Sequence, residues 1–569
     1  MTKATPRLDE FNRGPRIAYF SMEIALRTEI PTYSGGLGVL AGDTMRSGTD
    51  LELPLVGVSL VSRSGYFRQE IDAEGRQIEH PDPWEPSQWA TPLGAKVAVT
   101  IEGRDVWVRG WLYVLEGHSN GRVPVILLDT DLDENDKVDR EITGFLYGGD
   151  QTYRLKQEIV LGIGGVRLLH ALGFPIRRYH MNEGHSALLG VELLRRHAYP
   201  PEDVRPGESP YDVPRVRELC NFTTHTPVEA GQDKFPYDLV QRILGDAVDR
   251  SVLRSLAGAD VLNMTRLALN LSEHVNGVAK RHAEVSQRMF PGYRVEAITN
   301  GVHPFTWTHQ AVAALYDRYM PGWCHEPGML VRVDQIPDAE IWEAHSRAKI
   351  QLIETVQTLS SVTLEPGIPI LGFARRMTAY KRPDLLLADL GRLKRLAQQQ
   401  PFQLVFAGKA HPRDEEGKRL IERLHRDMRD LAGAILVAYL PNYDMQIALA
   451  TVSGVDVWVN TPLRPLEASG TSGMKAAFNG VPSLSVLDGW WIEGCIDGVT
   501  GWAVGDTAES ANGADAEALY RKLEQAVLPL YYRDRPGWIA VMKHAIGKNA
   551  SFFNSHRMMR HYTTQVYMR

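Results

Sequence analysis

Lys475 stands in a setting that a surface lysine does not need. Ahead of it run Glu467, Ala468, Ser469, Gly470, Thr471, Ser472, Gly473 and Met474, and behind it Ala476, Ala477 and Phe478. Small and apolar neighbours take water away from an ammonium group, which lowers its pKa and leaves a nucleophilic amine. The preceding glycines and hydroxyls have a second use. If Met474–Phe478 forms the first turns of a helix, Gly470–Gly473 lie at its N-terminus, where unpaired N–H groups and the helix dipole attract an anion. Gly470 and Gly473 let the backbone come close to a phosphate, and Thr471 and Ser472 offer hydroxyls. A nucleophilic amine beside a phosphate cradle suits a Schiff base with pyridoxal phosphate. Composition alone also allows a glycine-rich turn followed by an ordinary surface lysine.

Three further constellations carry chemistry. Arg375, Arg376, Lys381 and Arg382 crowd the end of an apolar run, Ile368–Phe373. Guanidinium forks and a point-charge ammonium there suit phosphate, although charges can also simply cap a loop. The Tyr33–Gly38 stretch (Tyr-Ser-Gly-Gly-Leu-Gly) could present amides to an anion, or be no more than a tight turn. His180-Met-Asn-Glu-Gly-His185 sets two histidines and Glu183 together, but five residues apart rather than the four of a helical zinc pair, so no metal is expected. His225 follows an apolar run and sits among threonines, where open α/β sheets place their clefts.

Positioning these groups requires an α/β scaffold. Apolar runs at 16–26, 54–62, 123–129, 368–373, 402–410, 435–444 and 455–459 read as strands, and 65–122 as a β-rich excursion. Residues 153–172 read as a buried helix; Pro383 at N1 with Leu386, Leu390 and Leu393 reads as another, and 536–569 as helical. A chain of 569 residues needs two domains or more, and strand–helix alternation in the second half predicts a parallel doubly wound sheet. A net charge of −6 argues against nucleic-acid binding. Three dispersed cysteines fit a reducing cytoplasm, no run approaches a membrane span, and the N-terminus lacks the apolar core of a signal peptide.

The string from Glu467 to Lys475 closely resembles the cofactor-lysine segment of the α-glucan (glycogen, starch, maltodextrin) phosphorylases, and five more motifs resemble that family in order, from about 16 to 545. The resemblance implies a GT-B architecture, two Rossmann-like domains (1–302 and 303–569) facing a cleft, the last helix crossing back to the first. It implies reversible, retaining phosphorolysis of α-1,4-glucans or maltodextrins from the non-reducing end to α-glucose 1-phosphate. The 5′-phosphate of pyridoxal phosphate would act as the proton shuttle.

By the same resemblance Lys475 carries the cofactor, with Thr471, Ser472, Gly473, Arg375, Tyr443 and Trp307 around it. Arg376, Lys381 and the Gly36 amide hold the substrate phosphate. Glu23, His225, Val275, Asn300, Glu467, Ser469 and Gly470 surround the transferred sugar, and Asn182, Glu183 and His185 face the acceptor glucan. Three positions depart from the family pattern: Ala25 replaces an aromatic, Asp444 an arginine and Arg375 a lysine. The chain is shorter than most members, which predicts no allosteric control, a preference for short maltodextrins, and leaves a homodimer as a candidate assembly. A cofactor-free glucosyltransferase of similar fold and a non-catalytic glucan-binding relative are the alternatives.

Overall fold

The computed structural model describes residues 8–118, 121–228, 231–507 and 512–568. The N-terminal seven residues, read above for the absence of a signal peptide, lie outside the described residues, as do Glu229 and Ala230 beyond His225.

Two large sheets carry an α/β fold. The first has nine strands in the order Glu296–Ala297, His274–Gly277, Cys220–Thr223, Ile176–Asn182, Arg16–Ser21, Leu55–Leu60, Arg122–Asp129, Arg104–Glu116, Thr91–Ile101. All are parallel up to Arg122–Asp129, and the last two add on as a long antiparallel hairpin. That hairpin and the small pair Arg68–Ile71 with Gln77–His80 make up the β-rich excursion. The second sheet has six parallel strands, ordered Val437–Leu440, Gln403–Ala407, Ile370–Ala374, Val457–Asn460, Ser483–Val486, Gly501–Val504. Its central strands are buried at every position, as parallel strands covered by helices on both faces must be.

Some boundaries differ from the sequence reading. The first strand ends at Ser21 rather than 26, because the Ile24 and Ala25 amides turn to the Thr32 and Gly38 carbonyls instead of a neighbouring strand. The strands read at 402–410 and 435–444 are shorter, Gln403–Ala407 and Val437–Leu440. The helix placed at Pro383 begins at Leu390. Arg382 adopts a left-handed φ of 46°, Leu385–Leu387 form one tight turn, and the Asp389 carboxylate accepts from the Arg392 amide at 2.8 Å. Leu386 and Leu393 are nonetheless buried, so the apolar spacing was informative about burial while Asp389 set the start. The 153–172 helix is continuous but widens to a π-turn at Val160–Gly164.

The C-terminal segment joins the first sheet. Helix Ser555–Tyr562 packs along helix Gly36–Asp50. The Tyr562 hydroxyl lies 3.0 Å from Thr223 Oγ1 and accepts from Asn276 Nδ2 at 2.9 Å, and the Tyr567 hydroxyl meets His180 Nδ1 at 2.6 Å. Polar side chains at three strand ends are thereby satisfied inside the protein. Among the described residues no helix is long and apolar enough to cross a membrane.

Candidate active site

A cleft of about 630 Å³ is lined from both halves of the chain. On one wall, strand Val457–Asn460 runs into a loop and then helix Thr471–Phe478. Gly470 sits at its N-cap with φ 85°, a conformation that favours glycine, and no side chain caps the helix. Its first amides are therefore open to an anion. Lys475 is buried on this helix, its Nζ 3.5 Å from the centre of the Trp307 ring, and it makes no hydrogen bond or ion pair among the described residues. Burial pushes its pKa down to about 8, against the opposing pull of Asp43. Asp43 instead accepts the Trp307 indole N–H at 2.8 Å, which fixes the ring under the amine.

The cations at the end of strand Ile370–Ala374 are unequally neutralised. Glu467 receives both oxygens' worth of Lys381 Nζ (2.7 and 2.6 Å) and Arg375 Nη1 at 3.0 Å. Burial works against its charge, but these two partners hold its pKa at about 2. Among the described residues Arg376 has the Tyr380 hydroxyl alone as a hydrogen-bond partner, at 3.3 Å, and it remains exposed in the cleft. Arg382, which completes the cluster in sequence, points away and is taken up by Asp515 and the Thr461 and Pro462 carbonyls. Among the described residues, Ser469 Oγ and Arg375 Nε are buried on this wall without a hydrogen-bond partner.

The facing wall is already wired. Glu23 accepts from the Ser34 amide (2.6 Å), the Gly35 amide (3.2 Å) and the Tyr147 hydroxyl (2.9 Å). Its carboxylate thus shapes the turn that presents Gly36 rather than facing the cleft free. Glu183 has φ 73°, costly for a non-glycine residue, and accepts from the amides of Gly184 (3.0 Å) and His225 (2.8 Å) and from Thr226 Oγ1 (2.9 Å). Burial pushes His225 down to about 3 and His185 to about 4, so both are neutral; His225 Nε2 donates to Asn182 Oδ1 at 2.7 Å. Asn300 Oδ1 is buried, lines the cleft region and has no partner.

Of the residues singled out in the sequence, Glu23, Gly36, Glu183, His185, His225, Asn300, Trp307, Arg375, Arg376, Lys381, Tyr443, Glu467, Ser469, Gly470, Thr471, Ser472 and Lys475 line this cleft. Three do not. Asn182 lies behind His225, Val275 is in the sheet core with Val278 lining in its place, and Gly473 turns toward Trp490. Asp444 caps helix Met445–Gly454, accepting from the Ile447 amide at 2.9 Å, and Ala25 is packed in the core with Val39 and Trp307. Tyr147, Arg154 and Lys409 also line the cleft. Lys409, a cation just past a strand end, could have been found by the logic applied to Arg376; Tyr147 offered no signal.

The cleft fits a phosphorylated aldehyde cofactor: a buried amine of lowered pKa, an uncapped helix N-terminus, an unpartnered hydroxyl and guanidinium nitrogen, and Arg375, Arg376 and Lys381 at the adjoining strand end. The carbohydrate phosphorylase family profile matches residues 246–499. The chain is 40% identical to maltodextrin phosphorylase of Thermococcus litoralis, over 97% of this chain and 70% of that one. It is 38% identical to glycogen phosphorylase of Mycobacterium bovis, over 97% and 70%, and 36% identical to that of Aquifex aeolicus, over 97% and 86%.

Proposed function

The chain belongs to the carbohydrate phosphorylase family, and we propose that it is an α-glucan phosphorylase, releasing α-glucose 1-phosphate from the non-reducing ends of maltodextrins or glycogen with retention. The reading includes a GT-B arrangement of two domains meeting near residue 302, a pyridoxal phosphate cofactor and a cytoplasmic setting. The observation that carries it is Lys475, a buried amine of depressed pKa beside an uncapped helix N-terminus.

In this reading Lys475, whose Nζ lies over the Trp307 ring, would hold the cofactor, and the Thr471 and Ser472 amides and hydroxyls, with Arg375, would hold its phosphate. When bound, pyridoxal phosphate supplies a phosphate group that can exchange a proton with a second phosphate beside it. Arg376 and Lys381 fix that second, substrate phosphate, and the Gly36 amide meets it from the other wall. Arg375, Arg376 and Lys381 would offset the negative charge of two phosphates brought close together. Glu467 keeps Lys381 and Arg375 in register, since a carboxylate with a pKa near 2 stays ionised at every working pH. Asn300 and Ser469 bring unpartnered polar atoms to sugar hydroxyls, and neutral His225 and His185 add dipoles without charge. No pair of carboxylates does the chemistry, because Glu23 and Glu183 are saturated by their own loops.

The test is an absorption spectrum of the purified protein before and after borohydride, with phosphorolysis of maltoheptaose measured alongside. The expected result is a cofactor band that borohydride fixes to the protein, and glucose 1-phosphate release, both absent in Lys475→Ala. A wild-type protein that takes up no pyridoxal phosphate yet transfers glucose from a nucleotide sugar would overturn the reading.

A further inference from the structure

Outside the cleft, three segments meet around a buried carboxylate. Asp50 ends helix Gly36–Asp50, His303 lies in the segment that also carries Asn300 and Trp307, and His556 belongs to helix Ser555–Tyr562. His303 Nε2 is 2.8 Å from Asp50 Oδ2 and His556 Nε2 is 3.6 Å from the same oxygen; the three donor atoms all lie within 4.8 Å of one another. His556 Nε2 is buried and has no hydrogen-bond partner. Its Nδ1 lies 3.0 Å from Ser47 Oγ. With the ring proton on Nδ1 and donated to Ser47, Nε2 presents a lone pair 3.6 Å from the Asp50 oxygen, an arrangement that a cation between the two stabilises.

We propose that Asp50 Oδ2, His303 Nε2 and His556 Nε2 form a binding site for a zinc-like divalent transition metal, with water completing four-coordination. The donor set is two imidazoles and a carboxylate, which suits zinc rather than the all-oxygen shells of magnesium or calcium. Tetrahedral bonds of about 2.0–2.1 Å separate donors by about 3.3 Å. The observed 2.8 and 3.6 Å bracket that spacing, and the two imidazole nitrogens lie within 4.8 Å of each other. Each ligand has an outer partner, as metal ligands require. Ser47 Oγ holds His556 Nδ1, the His118 amide donates to Asp50 Oδ1 at 2.9 Å, and Thr306 Oγ1 lies 2.7 Å from His303 Nδ1.

The proton balance closes. In the metal-free state the His303 Nε2–H donates to Asp50; on ligation that proton moves to Nδ1 and is donated to the Thr306 hydroxyl, and the 3.2 Å contact from the Thr306 amide is given up. His118, whose amide donates to Asp50, and His325 are exposed, with their rings 6.5 Å apart. The sequence reading expected no metal because it looked at His180 and His185. These ligands are 253 residues apart in one pair, beyond any spacing argument.

A bound metal would tie the base of the helix that presents Gly36 to the Asn300–Trp307 segment and to the C-terminal helix. The experiment uses the full chain, stripped with EDTA and dialysed against Zn²⁺, then Co²⁺, with metal content, calorimetric titration and thermal unfolding measured. Expected are one Zn²⁺ per chain, a Tm raised by several degrees, and Co²⁺ ligand-field bands of four-coordinate intensity. His556→Gln should weaken Zn²⁺ binding by about tenfold or more while its circular dichroism stays that of the wild type. Wild-type protein that retains no stoichiometric zinc, or Co²⁺ bands of six-coordinate weakness, would sink the proposal, whatever the variant does. So would undiminished zinc binding by both His556→Gln and Asp50→Asn, which would put the metal elsewhere.

Discussion

The two walls of the cleft are built on opposite electrostatic terms. On the Glu23 wall every anionic oxygen is consumed by a neighbouring amide or hydroxyl, and the histidines are neutral. On the Lys475 wall Arg375 and Lys381 share one carboxylate, Glu467, while Arg376 and Lys475 make no ion pair among the described residues. A wall of spent dipoles is rigid and uncharged, and it suits hydroxyl recognition. A wall of unspent charge waits for phosphate. The difference teaches that the substrate's two parts, neutral sugar and anionic phosphate, are met by surfaces prepared in different ways.

Breaking the charged wall should cost most. Arg376→Ala removes a guanidinium with no protein anion to release, so folding stability should change little, while kcat/KM for phosphorolysis falls about 10²–10³-fold. An equal loss of stability and activity would mean that Arg376 is a structural residue after all. Glu467→Gln comes next. Its depressed pKa, from 4.5 to about 2, corresponds to about 3 kcal/mol of stabilisation. Because the folded value is the lower one, this stabilisation is full above pH 4.5 and is lost as pH falls toward 2. The variant should therefore be less stable at neutral pH and lack that part of the acid limb in urea titrations run from pH 7 down.

On the neutral wall the effects should be smaller. Glu23→Gln keeps one acceptor for the Ser34 and Gly35 amides, and we expect about a tenfold loss of kcat/KM expressed mainly as a higher KM for phosphate, through the Gly36 turn. A change confined to the KM for glucan would show that Glu23 touches sugar instead. Smallest of all, Asp444→Ala should cost about 1 kcal/mol in thermal or chemical unfolding, the worth of a helix cap, and leave turnover nearly intact.

What was legible in the sequence was whatever is contiguous. The Glu467–Lys475 string, the Arg375–Lys381 cluster and the apolar strands lie within single short segments, where residue type and spacing speak directly. What was not legible depends on distant partners. Glu23 reads as a sugar ligand until Tyr147 and the Ser34 amide are seen to occupy it, and Val275 reads as a lining residue until the sheet register buries it opposite Phe222. The helix start at Leu390 was misread because Pro383 is a strong local signal, and only the left-handed turn at Arg382, held by Asp515, defers the helix to Asp389. Asp444 looked like a lost charge and is a cap.

The tyrosines of the C-terminal segment impose an order on synthesis. Tyr562 satisfies Asn276 across 286 residues and Thr223 across 339, and Tyr567 satisfies His180 across 387. While the ribosome is still translating the second sheet, the strand ends of the first have been made but their internal partners have not. Until Tyr562 and Tyr567 have been made, the first half therefore keeps an open polar notch whose groups only water can satisfy. A stop codon before Tyr562 would leave that notch open in every molecule, so the cell's quality control would meet the damage in the half of the protein that was translated correctly.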